Sequence, residues 1–356
     1  MNDKKVTIYD IAERTNLSIA TVHRALNNKG RISTDTRARI LKAAEELGYR
    51  VNAAAQGLRR ATIKIGAVLF CPVGEYVNDI VDGIRAAGEE LEKFNVSVTV
   101  RNIPYTSREE CLKKTCLILR ELAEEGCGGI VLFVSSMLGE MKELTGTMLE
   151  LAEEGVVFAT VANDIPGGKR ALHVGVDAFM AGSMAAEMMS FSCANRDVAL
   201  LVASSMSPVN QEYINGFRSC AGGETFSGIF IYEHYDDPET VLDVTARMLE
   251  EHPDLGGIYM TTASSALACR RLRERKRGDM FIITTDLLKQ TPALFREKTA
   301  SAAIFQNPYK QGKNVVKYLY RYITAGTDGG THLIPPQILL SSNLSPYLFF
   351  DAEGKE

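Results

Sequence analysis

The chain of 356 residues is poor in the groupings from which metal and redox sites are built. Its five histidines, at 23, 173, 234, 252 and 332, fall at no metal-ligand spacing. Its seven cysteines, at 71, 111, 116, 127, 193, 220 and 269, are odd in number and form no CxxC pair. They lie mostly in apolar segments, as reduced thiols of a cytosolic protein do. No run reaches 18 consecutive apolar residues, and the first ten residues carry Asp3, Lys4, Lys5 and Asp10 in place of an apolar stretch. Neither membrane spanning nor secretion is expected. No nucleophile elbow, Walker-type glycine loop or acid/base constellation is present, so no enzymatic activity, metal or cofactor is expected. The tail Asp351 to Glu356 has no heptad and predicts no tetramerising coil.

What is present is a sharp charge asymmetry. Residues 1–61 hold twelve Lys or Arg against six Asp or Glu, a net charge of +6, while the remainder carries 28 against 38, a net charge of −10. A compact basic head on an acidic body reads as phosphate contact. Within the head, Thr7 with Asp10 at N3 predicts a capping box that opens a helix. Asn16 suits a sharp left-handed turn, Leu17 fills the gap beneath it, and Ser18 caps a second helix. Val22, Ala25 and Leu26 face the core at helical spacing, leaving Ile19, Ala20, His23, Arg24 and Asn27 outward. Ser33 caps a third helix, whose Ile40, Ala43, Ala44 and Leu47 clamp the other two. One anchored and one projecting face is the arrangement a helix needs to enter a major groove.

Five ordered motifs in this window resemble the head of the lactose/galactose-repressor family of bacterial transcription regulators: Thr7 to Ala12, Ser18 to Asn27, Ile32 to Arg37, Leu47 to Tyr49 and Asn52 to Leu58. The resemblance implies that Ile19, Ala20 and Arg24 face base edges of double-stranded operator DNA. Thr21 and Asn27 then approach phosphates, with Thr7, Ser18, Ser33 and Thr36 completing the interface. Arg24 is the strongest candidate, since a guanidinium pairs with two acceptors on guanine. His23 stands where the family usually has serine, and is either a solvated surface histidine or a DNA contact. In the family, the joint at residues 52–60 folds into a short helix on DNA and wedges a leucine into the minor groove. Asn52, Ala55 and Leu58 occupy those places here. The alternative is a plain flexible linker with Leu58 packed on the body.

From Thr62 on, short apolar runs alternate with amphipathic segments, which predicts parallel sheets covered on both faces and too many strands for one sheet. This body resembles the family's effector module, the two-lobed fold shared with periplasmic sugar-binding proteins (type I). The residues that carry the likeness are Gly66-Ala67-Val68, Gly129-Ile130-Val131, Val174 to Asp177, Asn215-Gly216-Phe217, Asp286 and Gln306 through Gly312. The expected organisation is an all-α helix-turn-helix head (1–61) followed by an α/β effector-binding and dimerisation module (62–356). Chain crossings near Pro166, Ile304 and Asp328 would divide that module into an N-lobe of about 62–165 plus 305–327 and a C-lobe of about 166–304 plus 328–356.

Strand ends between the lobes place Tyr76, Ser135, Asn163, Asp286 and Gln306 as candidate effector contacts, and the resemblance adds Tyr213 and Thr262. Asp286 matches the aspartate with which sugar-binding members grip hydroxyls. Tyr213, however, replaces their usual arginine, and Thr262 and Ala263 replace an Asn-Asp pair, so an ordinary hexose is less well served. The implied protein is a cytoplasmic, nucleoid-associated repressor, a homodimer whose operator affinity a small, carbohydrate-like molecule controls. A body that answers to a protein partner, or an enzyme fused to the head, are the competing readings.

Overall fold

The computed structural model describes residues 6–26, 32–47, 62–70, 74–104, 106–135, 141–221, 225–274 and 280–344. The chain divides into two compact units, Met1–Ala61 and Thr62–Glu356.

In the head, α1 (Ile8–Thr15), α2 (Ile19–Leu26) and α3 (Thr34–Glu46) enclose a core of Ile11, Ala12, Val22, Ala25, Ile40, Ala43 and Ala44. The Asp10 carboxylate accepts from both the amide and the hydroxyl of Thr7, each at 2.6 Å. The capping box is present, and the N3 amide also reaches the Thr7 carbonyl at 3.1 Å. Asn16 adopts φ 55°, the left-handed turn its short side chain permits.

The body holds two six-stranded sheets. The first contains β1 (Ile63–Phe70), β2 (Val96–Asn102), β3 (Cys127–Val134), β4 (Val157–Val161), β5 (Leu172–Val176) and β11 (Gly330–Ile334), in the order β11-β5-β4-β3-β1-β2 and parallel throughout. The second contains β6 (Asp197–Val202), β7 (Gly228–Glu233), β8 (Gly257–Met260), β9 (Phe281–Thr285), β10 (Ala302–Phe305) and β12 (Gln337–Leu339), in the order β12-β10-β9-β8-β6-β7. Only the β10–β12 pair in it is antiparallel. The near-continuous burial of β1, β3 and β6 fits sheets covered on both faces. The covering helices are α4 (Gly74–Glu92), α5 (Arg108–Glu124), α6 (Lys142–Glu153) and α12 (Pro308–Ala325) on the first sheet. On the second they are α7 (Ala178–Cys193), α8 (Pro208–Ala221), α9 (Pro238–Glu251), α10 (Ser265–Glu274) and α11 (Thr291–Arg296).

Two of the three expected crossings are displaced. Strand β5 stays in the first sheet beside β4, so the chain first leaves that lobe after Val176 and not near Pro166. Strand β11 also remains there, beside β5, so the last crossing lies between Ile334 and Gln337 and not near Asp328. Glu90, exposed near the end of α4, joins Lys313, at 2.6 Å, and Lys317 across to α12. Hydrogen bonds from these two lysines hold its carboxyl down at about 2. Arg271 pairs with Glu274 and Arg273 with Glu297.

Candidate functional site

Helix α2 presents the head's projecting surface. Ile19 is 43% exposed, and Ala20 and Arg24 are exposed beside it, while Val22 and Ala25 are buried on the opposite side. Arg24 Nε donates to the Ala20 carbonyl at 3.2 Å, so a bidentate contact with guanine requires the guanidinium to swing away from its own helix. Ser18 and Thr21 share a bond of 2.9 Å, and the Thr21 amide donates to the Ser18 hydroxyl. Ser33 and Thr36 repeat that pattern at the start of α3. Ser18 and Ser33 therefore cap helices, with Thr21 and Thr36 at N3, which leaves part of each hydroxyl's capacity for a phosphate. Asn27, Asn52, Ala55 and Leu58 lie outside the described residues, as does the side chain of His23.

In the body, the order β2-β1-β3 of the first sheet and β7-β6-β8 of the second each create a switch point, where loops after neighbouring strands part and leave a crevice. A cleft lies there, and all seven candidate residues line it: Tyr76 beyond β1, Ser135 beyond β3, Asn163 beyond β4, Tyr213 on α8, Thr262 beyond β8, Asp286 beyond β9 and Gln306 beyond β10. Its volume is about 80 Å³, well below the roughly 300–1,000 Å³ usual for ligand pockets. With the lobes placed as they are, the cleft is too small for a molecule of sugar size.

Polar side chains at the back of the cleft are tightly ordered. Asp286 is almost wholly buried, with φ 63°. One carboxylate oxygen accepts from the Gln306 amide at 2.9 Å and the other from Gln306 Nε2 at 2.7 Å. Gln306 Oε1 accepts from the Tyr213 hydroxyl at 2.9 Å. Tyr213, standing where the resembled family has a charge, thus spends its hydroxyl on a protein partner. Burial pushes Asp286 up to about 7 against the pull of the Gln306 bonds, with Asp79 adding a like charge.

Sequence reasoning missed Phe133, Asn210, Asp236 and Thr261, which also line the cleft. Asp236 follows β7 as Asn163 follows β4, so the rule that strand-end loops build such sites would have found it. Burial raises Asp236 to about 6, opposed by a hydrogen bond from Ser135 of the other lobe. A second tie between lobes runs from the Lys289 amide to Glu75 at 3.0 Å. Asp164, another strand-end acid, faces away from this role: Arg170 Nε donates to it at 2.6 Å and Thr160 at 2.9 Å.

Among the described residues no helix is long and apolar enough to cross a membrane, and no cluster of His, Cys, Asp or Glu is arranged to hold a metal. The chain is 25% identical to the HTH-type transcriptional regulator pepR1 of Lactobacillus delbrueckii subsp. lactis, over 96% of this chain and 98% of that one. It is 23% identical to catabolite control protein A of Priestia megaterium, over 74% and 75% of the two chains. In structure it is similar to GanP, a glucose-galactose binding protein from Geobacillus stearothermophilus, with a TM-score of 0.69, 22% identity and coverage of 80% and 99%. Residues 67–328 match the family model for a periplasmic binding protein domain, and residues 7–52 the model for bacterial regulatory proteins of the lacI family. The chain belongs to the lacI family: it is a DNA-binding transcriptional regulator whose body has the two-lobed fold of the sugar-binding proteins.

Proposed function

We propose that this regulator is a cytoplasmic homodimeric repressor whose grip on a near-palindromic operator is set by a small sugar-like molecule in the cleft. The observation that carries this reading is the cleft itself: seven side chains drawn from seven separate places in the sequence converge on one space between two lobes, lined by polar and apolar groups together. A cleft with a few convergent polar groups suits a small molecule, whereas a protein partner asks for a broad exposed apolar patch. Two heads related by a two-fold axis match two half-sites. Within each head, Arg24 reads bases, Ile19 and Ala20 shape the fit, and Thr7, Ser18, Thr21, Ser33 and Thr36 approach the backbone. Asn27, Asn52, Ala55, Leu58 and His23 complete the proposed contacts.

Binding titrations of the full chain against its own genomic fragments test the reading. Specific fragments bind more tightly than random duplex, and the effector changes that affinity by a factor which operator DNA returns on effector affinity, because linkage is reciprocal. Identical effector affinity with and without operator overturns the allosteric part. Arg24→Ala costs about 1–3 kcal/mol and relaxes selectivity at one operator position; unchanged selectivity removes Arg24 from the base-reading role.

A further inference from the structure

Among the described residues, the cleft holds two carboxyl groups, those of Asp236 and Asp286, and no lysine or arginine. The neighbouring sequence at 71–73 and 136–140 contains no basic residue either. The nearest imidazole is His234, which is fully buried. Its Nδ1 accepts from the Asp236 amide at 3.1 Å, so that nitrogen carries no proton, and Nε2 is left to bond Thr262 at 3.0 Å. The ring is therefore neutral and gives Asp236 no charge. Other groups facing the two acids add none: Asp79 from α4 is a like charge, and Tyr76, Tyr213 and Tyr259 are neutral phenols.

We infer that the effector is a hydroxylated amine, a compound such as an amino sugar that carries a protonated amino group among hydroxyls. This inference rests on the cleft being the effector site, as proposed above. Asp236 is the residue that receives the ammonium. Both oxygens of Asp286 already accept from Gln306, whereas Asp236 has the hydroxyl of Ser135 from the opposite lobe. An ammonium on Asp236 supplies the positive charge that the described lining omits, and Asn163, Asn210 and Thr262 line the same cleft for hydroxyls. A sugar acid or sugar phosphate would place a third negative group in a space with nothing to neutralise it.

The charge state also gives a proton signature. Burial leaves both acids partly protonated near neutrality. An arriving cation favours their ionised forms, so protons are released on binding and affinity rises from pH 6 to about 7, below the range in which the amine itself loses its proton. A neutral ligand does neither.

The test uses the full chain and three matched sets of probes: glucose, galactose and mannose, their 2-amino derivatives, and their uronic acids, in thermal-shift and calorimetric titrations. At least one amino sugar binds tenfold or more tightly than its parent hexose, with proton release visible as a buffer-dependent heat, and no uronic acid binds. Asp236→Asn removes that preference. Asparagine tolerates the left-handed backbone that Asp236 adopts at φ 57°, and the same melting scans show whether the variant is folded. Equal affinity for hexose and amino sugar, or a uronic acid as tightest ligand, overturns the inference while leaving the cleft as the effector site. No binding by any of the nine probes, together with operator affinity that none of them changes, overturns both.

Discussion

Each lobe of the body is locked by two helices that meet through a pair of glycines, yet the two pairs are drawn from the chain differently. In the first lobe α4 meets α12 where a Cβ on Gly83 would overlap the Tyr309 carbonyl and one on Gly312 the Ile80 carbonyl. In the second, α7 meets α8 where a Cβ on Gly182 would overlap the Tyr213 carbonyl and one on Gly216 the Phe179 carbonyl. The contact is the same, backbone against backbone with no side chain between. The route is not. Helix α8 follows α7 after one strand, whereas α12 reaches α4 only after the whole second lobe has been threaded. Closing the roughly sevenfold longer loop costs about 1.7 kcal/mol more in chain entropy. The second lobe therefore has the shorter path to its lock.

The largest effects come from those glycines. Gly216→Ala and Gly312→Ala each force two backbones apart, where no flexible side chain can yield, and each costs about 3 kcal/mol, the upper part of the overpacking range. Denaturant unfolding measures this. The difference in route shows in folding order: in pulse-labelled refolding, amides of β6, β8 and β9 gain protection before those of β1, β3 and β4. Simultaneous protection, or the first sheet leading, breaks the proposed asymmetry between the lobes.

The next effect separates the lobes by charge. Asp164 of the first lobe is pushed up by burial, but Arg170, His173 and Thr160 together pull it down further, and it ends below the usual carboxylate range. Asp236 of the second lobe has no such cation and ends raised at about 6. Neutralising them has opposite consequences. Asp164→Asn removes a favourable charge and destabilises at pH 8 by about 1–2 kcal/mol, a hydrogen-bonded charge discounted for its partial exposure. Asp236→Asn removes an unfavourable charge and stabilises at pH 8 by about 1–3 kcal/mol, an effect that fades towards pH 4 as the wild-type acid protonates. Melting temperatures of both variants at the two pH values decide it, and shifts of the same sign at pH 8 erase the contrast.

How much of this was legible in the sequence follows from how far apart the cooperating residues lie. The head was readable because Thr7, Asp10, Asn16, Ser18 and Ser33 act within a few residues of themselves, through caps and one turn. The strands of both sheets that are long and buried were readable too. Strand β5, five residues after a Gly-Gly turn, and β11, largely exposed at the sheet edge, carry little apolar signal of their own, and missing them displaced two crossings. In the cleft, Asp286 and Gln306 stood out by family pattern, but their bond and the link to Tyr213 join residues that only the folded sheets bring together. Asp236 went unnoticed because an acid two residues before a proline reads as ordinary turn and cap chemistry.

The smallest effect tests where the lobes behave alike. His173 of the first lobe and His234 of the second are both buried, and burial lowers each to about 4. Below pH 6.5 the unfolded chain takes up a proton at each ring while the folded chain does not, so stability falls as pH falls from 6.5 towards 4. At pH 5.5 this amounts to about 1 kcal/mol per histidine. The raised acids work the other way in the same window: Asp236 and Asp286 take up protons in the folded state first, so acidification towards pH 5.5 stabilises through them. In the wild-type protein the opposing slopes nearly cancel between pH 7 and 5.5. Asp236→Asn deletes one stabilising slope and leaves the histidines, so its melting temperature drops more steeply than wild type over that interval. Parallel curves for the two proteins would mean that Asp236 is already ionised in the folded chain, and the charge contrast between the lobes would lose its basis.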